Sequence, residues 1–132
     1  MPPDIVNTYF KMHYPAGLKH DDFEPDWAGN AVWSRYRHGI RQTIFPKMVM
    51  ADGFEMSVQG HFGAYSYPRD DFAEAYSQVE VGYPTAREEL LMPYIDGGES
   101  ADPLKSVYGY VPVAVVEAVI IKHGGLVETP DA

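Results

Sequence analysis

The sequence predicts an α+β fold: a small antiparallel β-sheet with a short helix and an apolar C-terminal helix packed on it, plus an irregular, aromatic-rich N-terminal segment. Three observations predict it. Asp52-Gly53 separates two apolar segments, short runs of period-two alternation recur downstream, and the stretch from Pro112 to Gly124 is apolar at nearly every position. With 45% hydrophobic and 14% aromatic content in 132 residues, the chain can bury the core of one domain. It divides into an N-terminal segment, 1–44, that docks on an α+β core, 45–132.

Prolines 2, 3, 15 and 25 with Gly17 and Gly29 break any long periodicity in the N-terminal segment, so it reads as irregular. Asp26 is placed to cap a short helical turn holding Trp27 and Val32, after which Trp33, Tyr36 and Ile40 recur at helical spacing. Arg37 and Arg41 lie four apart on that helix, where the cluster SRYRHGIR reads as a solvated face sooner than a ligand-facing patch. From Ile44 onward the signals sharpen. Met48 to Met50 and Phe54 to Gln59 flank Asp52-Gly53, a dipeptide suited to a tight hairpin turn with positive φ.

Val79, Val81 and Tyr83 alternate with Gln78, Glu80 and Gly82 and give a third strand; Val107 to Val111 gives a fourth. Between them Thr85-Ala86-Arg87-Glu88 matches a capping box at the start of a helix that Pro93 keeps short. The segment IDGGESADPLK is rich in turn formers and reads as a mobile loop; Asp96, Glu99 and Asp102 in it lack the spacing of a calcium loop. The C-terminal helix starts at Pro112 and stops at Gly124, proline suiting the first turn and glycine the position past the end. Its near-continuous apolar surface predicts cover from the sheet on one side and from a second subunit, or the N-terminal segment, on another, so a homo-oligomer is expected.

Composition narrows the function classes. The formal charge is −9, and residues 1–47 hold six cations against five acids, so the acidity belongs to the remainder. A body of that charge repels duplex DNA, whose binding rests on neutralising many phosphates, but a small anion held at one point stays open. Cysteine is absent, which excludes disulfides and thiolate sites. No run of about 18 apolar residues and no signal-peptide pattern is present, so a cytoplasmic protein with no membrane partner is expected.

No reaction motif stands out. A glycine-flanked serine elbow, the Walker and GxGxxG phosphate loops and the helical zinc pair are all missing, and the histidines 13, 20, 38, 61 and 123 form no metal-ligand spacing. No catalytic residue, metal or cofactor is assigned. The most informative stretch is FEMSVQGHFGAYSYPR, residues 54–69, where an alternating strand runs into an aromatic loop ending in a lone arginine. Arg69 can donate two parallel hydrogen bonds to phosphate oxygens and keeps its charge at neutral pH, while Tyr65 and Tyr67 offer flat faces for stacking a base. A salt bridge from Arg69 to Asp70, Asp71 or Glu80 is the competing assignment. Tyr94, Lys105, Lys122 and His123 are further candidate ligand-binding residues, and the ligand class is a small anionic, nucleotide-like molecule.

The succession DGFEMSVQG, AYSYPR, VEVGYP, LLMPY, VYGYVP and a final helix ending KHGG resembles small bacteriophage-encoded proteins over about residues 45–126, and among them is similar to the Thoeris anti-defence sponges. Those capture cyclic ADP-ribose isomers and keep them from a defence effector. The resemblance implies a non-enzymatic oligomer with pockets near subunit interfaces, in which Arg69 grips phosphate, Tyr94 stacks on adenine and Lys122 supplies a second cation. Lys122 stands where an arginine is expected, and a lysine lacks the planar fork. Two other readings stay open. One is an acidic, anti-CRISPR-like inhibitor of a host nucleic-acid-handling complex, using Asp70, Asp71, Glu74, Glu88 and Glu89 in a salt-sensitive contact; the other is a small structural phage protein.

Overall fold

Asp4 opens the first helix by accepting a hydrogen bond from the Asn7 amide, and α1 (Ile5–Met12) follows it. The computed structural model describes residues 4–33 and 43–127, apart from the Glu99 side chain. Val6, Tyr9 and Phe10 recur at i, i+3 and i+4 and are buried on one face of α1. Each stabilises by about 1.5–3 kcal/mol through burial. The N-terminal segment is therefore not irregular throughout. Its helix enters the same core as the sheet, with Phe10 stacked on Phe45 at 4.3 Å and edge-on to Tyr76 at 5.4 Å.

The next elements are β1 (Phe23–Pro25) and β2 (Ala31–Trp33), an antiparallel pair with Phe23 opposite Trp33. Asp26 does not cap a helical turn. Its Oδ1 accepts the amides of Ala28 and Asn30 and its Oδ2 accepts the Asn30 side-chain amide, which closes a hairpin turn with Trp27 at its tip. Val32 and Trp33 are strand residues; the remainder of the expected helix, with Arg35, Arg37 and Arg41, lies outside the described residues.

A four-stranded antiparallel sheet in the order β3-β4-β5-β6 forms the core, from β3 (Met48–Val49), β4 (Glu55–Gln59), β5 (Gln78–Gly82) and β6 (Val107–Pro112). The β3–β4 hairpin pairs Met48 with Met56, and Gly53 takes φ +94° in its turn. Alternation works as expected: Met56 and Val58 in β4 and Val79 and Val81 in β5 are fully buried, while Glu55, Ser57, Gln78 and Glu80 are half-buried. Val79 faces Val111 and Val81 faces Tyr108, so Gly109 and Tyr110 together oppose Glu80 in a β-bulge.

The C-terminal helix α2 (Val113–Lys122) buries Val116, Val119 and Ile120. Its Glu117 reaches the start of α1, accepting the Ile5 amide at 2.7 Å and the Val6 amide at 3.4 Å, where a carboxylate complements free N–H groups. The N-terminal segment thus supplies part of the cover expected for α2. Gly124 and Gly125, both at φ +93°, end the helix by donating to Ile121 and Ile120 carbonyls, and Val127 then donates to Val49 alongside the sheet edge.

The expected capping box does not start a helix. The Thr85 hydroxyl accepts the Glu55 amide, Glu88 points inward, and a single 3-10 turn at Met92–Tyr94 follows. Among the described residues no helix is long and apolar enough to cross a membrane.

Gly60 ends β4 under the Tyr76 ring, which lies 2.8 Å from where a Cβ would stand. Tyr76 is buried and held at its backbone by Asn7, so it has little room to retreat. Gly60→Ala should therefore lower unfolding stability by about 1–3 kcal/mol in urea titration. An unchanged midpoint would contradict this packing.

Candidate functional site

The chain between β4 and β5 is built as a rigid shelf. The Asn7 side chain accepts the Tyr76 amide at 2.7 Å and donates to the Tyr76 carbonyl at 3.0 Å, fixing the end of the loop to α1. The Tyr76 hydroxyl donates to the Asp70 carbonyl, and Tyr67 pairs with Gln78 as an isolated bridge. Buried Asp71 accepts the Phe62 amide at 3.0 Å through Oδ1 and the Trp33 amide at 2.8 Å through Oδ2, while Asp70 Oδ1 accepts the Ala31 amide at 2.7 Å. Two adjacent carboxylates thereby hook β2 onto the loop, and the tip of the β1–β2 hairpin is brought over it.

Between tip and loop lies a cavity of about 850 Å³, lined by residues 26–30 and 66–70 with Phe62, Gly63 and Tyr110. Arg69 forms part of its wall. The guanidinium carbon sits 5.8 Å from the centroid of the Tyr65 ring, a cation–π arrangement. Among the described residues it makes no ion pair, and its buried Nε has no hydrogen-bond acceptor. Asp70, Asp71 and Glu80, its expected salt-bridge partners, instead accept backbone amides, Glu80 from Tyr65 at 2.9 Å.

The rings around Arg69 are open to solvent. Tyr65 is 43% exposed, Tyr67 65% and Trp27 98%. Tyr110 stacks on Tyr65 at 5.9 Å and takes φ +52° within the bulge, a backbone conformation that costs a bulky residue about 1–2 kcal/mol. The bulge aims its ring at the cavity. Gly109 makes room for this, because a Cβ there would stand 3.3 Å from that of Tyr65. Trp27 and Tyr110 were not singled out from sequence. The available signals were Asp26 and Gly29 around Trp27, which suit a turn, and Gly109 inside a strand pattern, which suits a bulge.

Of the predicted ligand-binding residues, Arg69, Tyr65 and Tyr67 are brought together. The others are not. Tyr94 sits half-buried in the Met92–Tyr94 turn and packs against the core, and Lys105 is exposed at the end of a separate 3-10 turn, Pro103–Lys105. Lys122 and His123 lie at the end of α2, where both hold buried Glu88: Lys122 Nζ donates at 2.8 Å and His123 Nε2 at 2.7 Å. His123 Nδ1 donates to Asp52 at 2.6 Å, and its ring stacks on Phe54 at 4.1 Å. The cluster fastens the helix end to the β3–β4 turn, and no hydroxyl nucleophile takes part in these contacts. No group of three or more His, Asp or Glu among the described residues could hold a metal ion.

Charge balance in this cluster sets the direction in which each pKa moves. Burial disfavours the charged imidazole, but hydrogen bonds to Glu88 and Asp52 outweigh it and raise the His123 pKa above its ordinary value. Burial also opposes ionisation of Glu88, yet Lys122, the Leu90 amide and His123 together hold it below the usual carboxylate range. No family model, curated protein or solved structure matches the chain.

These directions give the cluster a pH signature. The His123 contribution to stability is complete below the ordinary imidazole value of 6.5 and is lost as pH rises through its higher folded value. The Glu88 contribution is present above the ordinary value of 4.5 and is lost as pH falls through its lower folded value. Urea midpoints should peak between these limits and decline on the alkaline side, and His123→Gln should remove that alkaline decline. A wild-type midpoint that stays level from about pH 6 to about pH 9 would contradict the assignment.

Proposed function

We propose that this protein is a non-enzymatic binding protein that captures a small, anionic, nucleotide-class ligand in the cavity between the β1–β2 tip and the loop following β4. The observation that carries the reading is Arg69: a half-buried guanidinium on a Tyr65 ring, with no carboxylate in ion-pair contact among the described residues and only the longer-range charge of Asp26 acting on it, in the wall of a cavity of about 850 Å³. A ligand phosphate would supply the missing acceptors, and Tyr67, Tyr110 and Trp27 offer faces for a base. The volume is of the size that small-molecule sites use.

Within this class, the cyclic ADP-ribose isomers are the members that the resemblance to phage sponge proteins implies, and sequestration in the cytoplasm of an infected cell is the matching role. The second cation and the adenine platform of that scheme would come from residues other than Lys122 and Tyr94, which lie away from the cavity. Homo-oligomerisation belongs to the same proposal. Ala114, Ala118 and Ile121 of α2 stay exposed, Ile121 at 69%, and a second subunit would cover this face. The acidic-inhibitor reading has less support, because Asp71 and Glu88 are buried and hydrogen-bonded inside the fold.

Isothermal titration with nucleotides, including cyclic ADP-ribose isomers, tests the proposal. Wild-type protein should bind at least one and release it intact on heating. Arg69→Ala should weaken that binding about 30-fold or more, the loss expected when a charge-assisted hydrogen bond worth about 2 kcal/mol is removed. Arg69→Lys should restore only part of it. Recovery of a cleaved product would replace capture with catalysis, and full affinity in Arg69→Ala would remove the site.

A further inference from the structure

Resting on the nucleotide-capture reading, we propose that the cavity selects its ligand by charge, preferring one negative charge to two or more, and that Asp70 sets this preference. Among the described lining residues the cation is Arg69, and it shares the wall with two carboxylates, Asp26 and Asp70. Neither forms an ion pair or hydrogen bond with the guanidinium, although the Arg69 charge favours the ionised form of Asp26. Asp26 turns its acceptors inward, to the amides of Ala28 and Asn30 and to the Asn30 side chain. Asp70 differs: Oδ1 accepts the Ala31 amide, and Oδ2 has no hydrogen bond among the described residues.

The first anionic group of a ligand is matched by Arg69. Every further one is placed in a half-enclosed space beside carboxylates that are fixed by backbone hydrogen bonds and cannot swing away. Like charges at contact range in an effective dielectric of about 20–40 change an equilibrium roughly tenfold or more for each charge, less in salt. The open Oδ2 has the opposite preference for neutral donors, because it can accept a ribose hydroxyl or an exocyclic amine. A cyclic mononucleotide combines the features this wall rewards: one phosphodiester charge, a flat base and a hydroxyl donor. Ligands with two phosphates, the cyclic ADP-ribose isomers included, are disfavoured relative to it, and triphosphates more so.

Titration of the full chain with 3′,5′-cyclic AMP, ADP, ATP and adenosine at one fixed salt concentration tests this. Wild type should bind cyclic AMP at least about tenfold tighter than ATP. Asp70→Asn keeps the oxygen that accepts the Ala31 amide and removes the charge, so it should strengthen ADP and ATP and narrow their gap from cyclic AMP about tenfold, while adenosine, which loses the Oδ2 acceptor and gains nothing from the lost charge, should not bind tighter. If ATP binds wild type as tightly as cyclic AMP while Arg69→Ala still abolishes binding, charge selection is wrong and capture stands. The wild-type ratio needs no variant to fold, so it decides the matter even if Asp70→Asn is unstable. If no nucleotide binds wild type, the capture reading falls and takes this inference with it.

Discussion

Two neighbouring carboxylates hold the walls of the candidate site together. Asp70 and Asp71 accept the amides of Ala31, Trp33 and Phe62, and through them the β1–β2 hairpin is attached to the loop that follows β4. A two-stranded hairpin has too little buried surface to stand alone in water. Hydrogen bonds to a charged acceptor are worth about 1.5–3 kcal/mol each, and the Trp33 ring set edge-on against Phe72 at 5.2 Å adds packing. Remove these hooks and the cavity loses the wall that carries Trp27.

The same hooks explain how a cation stays available in so acidic a protein. With 19 acidic side chains to 10 basic ones, an arginine would ordinarily find a carboxylate. The acids nearest Arg69 in sequence, with Glu80, serve as acceptors for backbone amides, and their geometry is set by the turns they close. Arg69 is left on the Tyr65 ring, and Tyr65 is itself held by its amide to Glu80 and by its carbonyl accepting the Tyr110 amide. Fold and site are therefore one network. The bulge that gives Tyr110 its positive φ also provides the contact that supports Tyr65.

Much of the fold was legible because its signals are local. Asp52-Gly53 marks its own turn, period-two alternation marks β4 and β5, and Pro112 and Gly124 bracket α2. What escaped depends on distant partners. Helix α1 has only eight residues, several of them β-branched or aromatic, and forms because the core accepts Val6, Tyr9 and Phe10. Thr85 and Glu88 fit a capping box by pattern, but their side chains bind the Glu55 amide and His123, 30 and 35 residues away. In the site, Arg69, Tyr65 and Tyr67 were legible as one aromatic and cationic loop. Trp27 and Tyr110 reach it only through tertiary structure, and Lys122 and His123, plausible as ligand contacts by charge, are held by Glu88.

The central claim is the proposal that the Arg69 guanidinium, whose buried Nε has no hydrogen-bond acceptor among the described residues, binds an anion. The side-chain Nε–Hε resonance of Arg69, followed by nitrogen-15 NMR in the full-length protein, reads this directly. Without ligand it should lack the downfield shift of a hydrogen-bonded guanidinium, and addition of cyclic AMP should shift it strongly and slow its exchange with water. A resonance already shifted in the free protein, or one unmoved at saturating nucleotide, would contradict the account.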